Sequence, residues 1–522
     1  MVHRIENRAS GRAQTRRAVI VGAGACGLAF TADRWASRAF AQGTRPLTYA
    51  LSTYPPNLRP FDFSGAASQV VKALMHRGLL IFGADGKIHP EVAESWELSD
   101  PKTYVFKLRE NAFFHNGEPV TAEDVKFSLD QIVSPGSTAF FKQDFQIVEK
   151  VEATSAKIVT ITLKQPTASF APMLANGCSS IISAKAAIAN PNRPVGCGPF
   201  ILQNSENGVS ISLKANKTFY KAGLPRSDAV RFVVYADDSL RVSALEAGDV
   251  DIIEYVPWQS MKSLANNPNM SMQSALAAYM YIVFNASAGP FKDARVRRAV
   301  ALGIRRDDIV KAAFLGYGEP LDGLPISPDS PFYDKASAHL WRYDPDRARS
   351  LLKEASASNI PVTLLSTATY GMHKDTAEVI QQNLAEIGMQ VELNLPEWGV
   401  RVALGNQGKY QFAINGGGGL FGDPDELTPF VGSGSPSYQR SLGMEGKGID
   451  DLLAKARHEI DEVKRRADYA DLSRLCAEEV PICTLNYRTQ AFALRNNVKD
   501  FQSLPGFLMI FSGSALDTAY LA

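Results

Sequence analysis

One short run decides between two quite different folds for this chain. Residues 18–30 read AVIVGAGACGLAF, a strand-like apolar segment with glycines at 22, 24 and 27. This GxGxxG spacing is typical of the turn that brings a backbone close to the pyrophosphate of a dinucleotide. The fingerprint also needs an acidic residue about 20 residues later to hold the ribose, and none lies between Asp33 and Asp62. The dinucleotide-binding interpretation therefore lacks its supporting context.

The residues around that run follow the order of an export signal. A basic start precedes an uncharged apolar stretch at 18–32, and AFA at 39–41 is an A-x-A-like cleavage site. TRRAVI at 15–20 resembles a twin-arginine signal. We therefore predict a twin-arginine-type signal peptide at 1–41, and a mature protein that begins at Gln42 in the periplasm.

The charge of the mature chain excludes some partners. Residues 1–41 carry seven arginines against Glu6 and Asp33, so a whole-chain net charge of +1 becomes about −4 after their removal. That balance gives no electrostatic basis for binding nucleic acid or an anionic membrane. No apolar run near 18 residues follows Gln42, so we expect no membrane-spanning helix in the mature chain.

Two outcomes are open for the four cysteines that follow Gln42. In an oxidising compartment, Cys178 could pair with Cys197 and Cys476 with Cys483. Buried free thiols fit the same sequence equally well. None of the four cysteines has the spacing of a metal site.

Hydrophobic periodicity predicts a mixture of strands and capped helices along the whole mature chain. Alternating apolar residues indicate strands, while N-cap side chains and C-terminal glycines mark the helix ends. This is α/β or mixed α+β material without a long linker. Strands are predicted at 47–52, 104–109, 158–164 and 411–415, and helices after Thr121, over 237–247, after Asp344-Pro345 and over 373–387.

Local motifs for catalysis are not found in this sequence. The seven histidines form no HExxH or similar helical metal pair, and there is no GxSxG elbow and no GxxxxGK[ST] phosphate loop. We expect a protein that is not an enzyme and has neither a metal nor a cofactor, although a carboxylate pair would leave no local signature.

The stretch YQFAINGGGGLFGDPDELTPF at 410–430 is the most unusual one. Four glycines follow a predicted strand and then lead into a capped segment at Asp423. Glycine at the end of a strand allows close approach of another backbone or of a ligand. A flexible turn before a helix cap and the wall of a ligand cleft both fit this pattern.

Five ordered segments together resemble the bacterial extracellular solute-binding proteins of family 5, which serve ABC importers of peptides, nickel and related solutes. The first segment contains HPEVAESW and FFHNGEPVTAEDVKFS, and the second is GCGPF, where the family usually has GTGPF. The resemblance covers essentially the whole mature chain in order. The five segments lie at 89–130, 196–200, 244–252, 284–320 and 343–355.

The resemblance implies a type II-like periplasmic binding protein with a venus-flytrap fold, in which two lobes and an extra domain form a cluster C-like arrangement. Such a protein would capture a solute by hinge closure and deliver it to ABC permease and ATPase subunits, as a monomer. Only a difference in affinity between the open and closed states can drive closure. The implied domains are lobe I at 42–75, 196–277 and 487–522, extra domain II at 76–195, and lobe III at 278–486.

The same resemblance implies a set of ligand-binding residues from both lobes. For Tyr279 and Trp398 packing in the core competes with a place in the cleft, Asn285 fits a structural turn equally well, and Asp423 fits a helix cap. The implied set is Tyr54, Pro55, Asn57, Tyr279, Tyr281, Asn285, Trp398, Asn415, Gly417, Gly418 and Asp423.

One position departs from the family pattern. Peptide binders of this family commonly place an aspartate in the glycine-rich stretch, where it pairs with the free amino end of the peptide, and the aligned residue here is Leu420. A buried ammonium without a partner is costly, so an ordinary peptide is disfavoured. A modified peptide, an opine-like compound, a sugar or an organic acid remain open as ligands.

Two other functions compete with solute import at this stage. The first is an exported flavin- or nicotinamide-dependent oxidoreductase, suggested by GxGxxG at 22–27. The second keeps the fold but makes the protein a ligand sensor that docks on a receptor, which sequence patterns do not separate from transport.

Overall fold

The computed structural model describes residues 45–328, 330–419, 422–433, 439–446 and 448–522. The predicted export signal, the GxGxxG run and Leu420 lie outside these residues. Pro46–Ala522 forms one compact unit. The described helices are α1 Ala66–Met75, α2 Ala122–Val133, α3 Phe170–Ala175, α4 Ala184–Ala189, α5 Asp238–Ala247, α6 Trp258–Ala265, α7 Ala294–Gly303, α8 Arg306–Phe314, α9 Pro345–Glu354, α10 Gly371–Glu386, α11 Trp398–Asn406, α12 Thr428–Val431, α13 Ile449–His458 and α14 Glu462–Glu479.

Short 3-10 helices and the strands complete the secondary structure of the described residues. The 3-10 helices cover Asp144–Ile147, Pro290–Lys292, Pro424–Leu427 and Gly506–Asp517. The strands are β1 Leu47–Leu51, β2 Leu80–Phe82, β3 Ile88–Pro90, β4 Ala93–Asp100, β5 Thr103–Leu108, β6 Val148–Ser155, β7 Ile158–Leu163, β8 Phe200–Glu206, β9 Ser210–Ala215, β10 Ala229–Val234, β11 Ile252–Ile253, β12 Met270–Phe284, β13 Gly318–Pro320, β14 Pro361–Leu365, β15 Gln390–Asn394, β16 Phe412–Gly417, β17 Cys483–Arg495, β18 Val498–Lys499 and β19 Tyr520–Leu521.

A mixed 11-stranded sheet runs through the molecule and has two halves. Its order is β15-β14-β16-β12-β17-β11-β1-β10-β9-β8, with β13 paired to β17. One half contains the parallel set β14, β15 and β16, and the other contains the parallel set β1, β10 and β11. The antiparallel strands β12 and β17 lie between the two halves.

These two central strands are the longest in the described chain, at 15 and 13 residues. They pair from Met270 with Arg495 to Ile282 with Cys483, and the register shifts twice along the way, between Leu276 and Ala278 and after Met280. Because β12 and β17 belong to both halves, a small rotation at these irregular positions would move one half relative to the other.

A second, four-stranded antiparallel sheet has the order β4-β5-β7-β6. It shares a hydrophobic core with α2 and with residues around Phe141, Phe170 and Leu508. Separate cores underlie the two halves of the large sheet, one around Phe284 and Trp341 and one around Tyr49 and Phe232. The structure thus has the α/β fold class that the sequence predicted, while the exact domain bounds stay a prediction.

Several predicted elements are confirmed and some bounds change. Helices α2, α5 and α9 begin at the predicted caps Thr121, Asp237 and Asp344. The first predicted strand is confirmed as β1 and ends one residue earlier, at Leu51; it has neighbouring strands on both sides, and all five of its residues are buried. Helix α10 begins at Gly371 rather than at 373.

Within the described residues, no helix combines the length and the apolar character needed to cross a bilayer. The same residues contain no group of three or more histidine, cysteine, aspartate or glutamate side chains placed to hold a metal ion.

The cysteines settle one of the alternatives left open by the sequence. In the structure all four are buried free thiols, so the guessed pairs Cys178–Cys197 and Cys476–Cys483 are not formed. Two of the sulfur atoms contact other polar groups: Cys178 Sγ lies 3.5 Å from the carbonyl oxygen of Asp62, and Cys483 Sγ lies 3.7 Å from Arg306 Nη2. Burial raises the pKa of Cys178 to about 11, so this thiol stays protonated at neutral pH.

Candidate functional site

The glycine run at 416–419 lies where β16 meets the central strands. Gly416 pairs with Met280 and Gly417 pairs with Tyr279, so the strand continues into the glycines instead of stopping before them. A Cβ on Gly417 would lie 3.1 Å from the Tyr279 ring, and one on Gly418 would lie 3.4 Å from the carbonyl oxygen of Ala277. The absence of side chains here therefore permits a close approach to the protein's own β12.

Tyr279 and Tyr281 point into an aromatic group in the core. Both are nearly fully buried, and their rings lie 5.9 and 5.7 Å from Phe430. The Tyr281 hydroxyl donates to the carbonyl oxygen of Gln439 at 3.0 Å. Burial raises the pKa of both tyrosines. These contacts fit the core-packing interpretation, and a direct ligand contact stays a prediction for both residues.

Trp398 lies at the surface of an aromatic group that the sequence did not reveal. Its ring is 5.2 Å from that of Tyr370 and 5.8 Å from that of His373. Trp398 is partly buried, and Tyr370 is 44% exposed. The Arg401 guanidinium lies 5.3 Å from the Trp398 ring, one helical turn further along α11.

Arg401 and Asn415 are joined directly. Nη2 of Arg401 donates to Oδ1 of Asn415 and to the carbonyl oxygen of Ile414. Burial lowers the pKa of Arg401 to about 10, which still leaves it charged at neutral pH. Asn415 thus holds a cation in place and is itself buried.

A second arginine, Arg488 on β17, approaches the same region from the other side. Its Nη1 lies 3.5 Å from Met372 Sδ, and a Cβ on Gly416 would lie 3.6 Å from its Nη2. Its pKa is lowered by burial, and the nearby Tyr255 hydroxyl acts in the opposite direction. Tyr255 follows β11, so residues from both halves of the large sheet meet here.

His373 completes this group and stays uncharged. Burial lowers its pKa to about 3, and the charges of Arg401 and Arg488 act in the same direction. We call Met372, His373, Trp398, Arg401 and Arg488 the basic cluster. Its charge at neutral pH comes from the two arginines.

The predicted residues after β1 take part in local structure. Tyr54 is half-buried against the core of its own half, and Pro55 is buried. Asn57 accepts the backbone N–H of Arg59 through Oδ1 at 3.1 Å, and its carbonyl oxygen accepts the Ser68 hydroxyl at 2.7 Å. Their roles as ligand contacts stay predictions.

Asn285 and Asp423 use their polar atoms inside the protein. The Asn285 amide donates to the carbonyl oxygen of Tyr410 at 3.1 Å and accepts the backbone N–H of Ser287 at the same distance. Both carboxylate oxygens of Asp423 accept from Arg465 at 2.6 Å, and one also accepts the N–H of Asp425. These contacts fit the turn and cap interpretations.

A cavity of about 540 Å³ opens between strands β2 and β3 on one side and the segments 325–332 and 422–426 on the other. Such a volume is typical of a small-molecule site. Phe507 borders the cavity and also packs on Tyr279, at a ring distance of 5.8 Å. The walls are mainly apolar, with Lys87 and Glu426 among the charged residues.

Most of the basic cluster was missed by sequence reasoning. His373 was one of seven separate histidines, and an isolated arginine in a strand such as β17 gives no local signal. The spacing of Trp398 and Arg401 on one helical face was the available hint. The partners of Arg488 come from distant parts of the chain.

This fold defines a class: an α/β protein of the periplasmic-binding-protein type, in which two strands join the two halves of one large sheet. The chain matches the bacterial extracellular solute-binding proteins, family 5 Middle, over residues 87–439, and it belongs to this family. It is 29% identical over 486 residues to the glutathione-binding protein GsiB of Escherichia coli K12, covering 90% of this chain and 94% of that protein. GsiB of Pectobacterium atrosepticum is 28% identical over 478 residues, with 88% and 92% coverage.

Solved structures agree with this assignment. The periplasmic binding protein AgaA of A. tumefaciens R10, in complex with agropinic acid, is 34% identical with a TM-score of 0.81 and covers 92% of this chain and 99% of its own. DppA of Helicobacter pylori, in complex with the peptide STSA, has a TM-score of 0.77 at 23% identity, with 93% and 99% coverage, and supports the fold alone.

Proposed function

We propose that this protein is the periplasmic substrate-binding subunit of an ABC importer. It captures a small polar solute between the two halves of the large sheet by hinge closure and delivers it to a membrane permease. The observation that carries the proposal is the pair of long strands, β12 and β17, shared by both halves and interrupted by register shifts. Such a connection can absorb rotation while each half keeps its own core.

The solute class in this proposal is peptide-like or opine-like. The relatives named above are described as glutathione-binding proteins, and AgaA was solved with agropinic acid. Leu420, aligned with the aspartate that peptide binders of the family use for a free amino group, disfavours an ordinary peptide. Export by the twin-arginine route and a monomeric state stay predictions from the sequence.

Native mass spectrometry and small-angle scattering test the function together. We expect the protein, purified from the exported fraction, to carry a non-covalent small molecule, and its radius of gyration to fall when that solute is returned to the stripped protein. A binding protein of this kind closes because its ligand contacts both lobes. A stripped protein that neither binds nor compacts with agropinic acid, glutathione or any solute from a cell extract would contradict the proposal.

A further inference from the structure

Arg488 differs from several other deeply placed arginines in how its N–H donors are satisfied. A guanidinium has five N–H donors, and the hydrogen-bond contact of the Arg488 side chain within the described chain is the weak one with Met372 Sδ at 3.5 Å. Its Nε is buried without a hydrogen-bond partner in the described residues. No described carboxylate lies within ion-pair distance of it. By contrast, Arg77 pairs with Glu91 and Asp517, Arg241 with Asp238, and Arg465 with Asp423, while Arg297 and Arg306 donate to several backbone carbonyl oxygens.

Arg488 lies in a part of the structure that solvent reaches. Gly416, directly beside it, is exposed, and Arg488 itself is partly exposed. Tyr255 on the opposite half of the sheet is 37% exposed and has a positive φ of 48°. A backbone held in that unfavourable region is a feature of functional sites. A ligand group placed between Gly416 and Tyr255 would therefore meet Arg488.

The neighbouring charges favour an anion at this position. Arg401 brings a second cation, and both Arg401 and Arg488 influence His373. Like charges near one another in a partly desolvated place are unfavourable, and an anion beside Arg488 offsets part of this penalty. A planar guanidinium binds a carboxylate through two parallel hydrogen bonds, which adds geometric specificity.

We propose that the solute carries a carboxylate that binds Arg488, with Arg401 as the supporting cation, so that the site selects acids over their neutral analogues. This inference rests on the proposed binding function and narrows it. Arg488 is the specificity-determining residue, and the aromatic surface of Trp398 and Tyr370 covers the apolar part of the solute.

The acid preference is tested on the wild-type protein by calorimetry. The probes are agropinic acid and glutathione, each beside a derivative whose carboxylates are converted to amides. We expect the acid form of at least one probe to bind at least about tenfold more tightly than its amide form. An amide that binds as tightly as its acid, or a co-purified solute without an acidic group, overturns the proposal.

Substitutions of Arg488 test whether this residue causes the preference for acids over amides. Arg488→Met should weaken acid binding by at least about tenfold, and Arg488→Lys, which keeps the charge but not the planar fork, should weaken it less. The matched control is Arg495→Met, on the same strand but facing Gly248, which should bind like wild type. Because Arg488→Lys preserves packing, it tests the role even where Arg488→Met does not fold.

The outcomes separate this inference from the function on which it rests. Wild-type affinity for an acid probe in both Arg488 variants would overturn the role of Arg488 and leave solute binding intact. A wild-type protein that binds no probe and carries no solute would overturn the proposed function and this inference with it.

Discussion

At the scale of single residues, His76 couples the stability of the protein to pH. It is 3% exposed, and neither ring nitrogen has a hydrogen-bond partner among the described residues. Burial lowers its pKa to about 3, with smaller effects in the same direction from His115 and Lys72. In the unfolded chain the pKa of this histidine is about 6.5. Between about pH 3 and pH 6.5, therefore, the ring is neutral in the folded protein and protonated in the unfolded chain.

The sign of the resulting effect follows from linkage. As the pH falls below about 6.5 the unfolded state gains a proton that the folded state does not bind, so the free energy of unfolding decreases until the pH approaches about 3. At pH 5 this loss amounts to about 2 kcal/mol from His76 alone. We expect His76→Gln, measured by urea unfolding at pH 7 and pH 5, to lose about 2 kcal/mol less than wild type. Equal losses in the two proteins would contradict the assignment.

The sequence predicted several residues of this region but not the contacts that they make inside the protein, and their roles in ligand binding stay predictions. Asn415 was placed in the site from the family pattern, and in the structure it holds Arg401. Asp423 was named for a ligand and pairs with Arg465, a partner 42 residues away. Such pairings depend on tertiary contacts that local patterns do not encode, and this is also why Arg488 could not be found.

At the scale of elements, sequence patterns predicted a helix correctly where the contacts that stabilise it lie close together in the chain. Helix α2 begins after Thr121, as the sequence predicted, and has a full capping box: Thr121 accepts from the backbone of Asp124, and the Asp124 carboxylate accepts from the backbone of Thr121. The shared strands β12 and β17 could not be predicted in this way, because they pair across about 200 residues of chain, a distance at which no periodicity indicates a partner.

The capping box gives a prediction for this helix. Thr121→Ala removes the side-chain acceptor for an N–H in the first turn and should lower the free energy of unfolding by about 1 kcal/mol. Thermal and urea unfolding measure the effect. Ser134→Ala, at the partly exposed C-cap of the same helix, is the matched control and should change stability by less than about 0.5 kcal/mol. An equal effect of the two substitutions would show that the cap does not stabilise α2 specifically.

At the scale of the whole molecule, the cores of the described residues are built from positions after 46. The three largest cores, around Phe284, Phe106 and Phe232, take their members from residues 47–519. The family match at residues 87–439 and the relatives aligned over 90% of the chain favour a solute-binding protein over a dinucleotide-binding enzyme, and the export signal at 1–41 stays a prediction from the sequence.

A truncated chain tests that interpretation directly. We expect a protein that begins at Gln42 to unfold at the same temperature and with the same cooperativity as the full-length chain, because it retains every residue of these cores. It should also bind the same solute with unchanged Kd. If residues 18–30 were instead the first strand and turn of a nucleotide-binding domain, removing them would expose apolar surface and lower the Tm, and the full-length protein would bind NAD or a flavin. Differential scanning calorimetry of the two chains, with NAD and FAD titrations of the longer one, distinguishes the two cases.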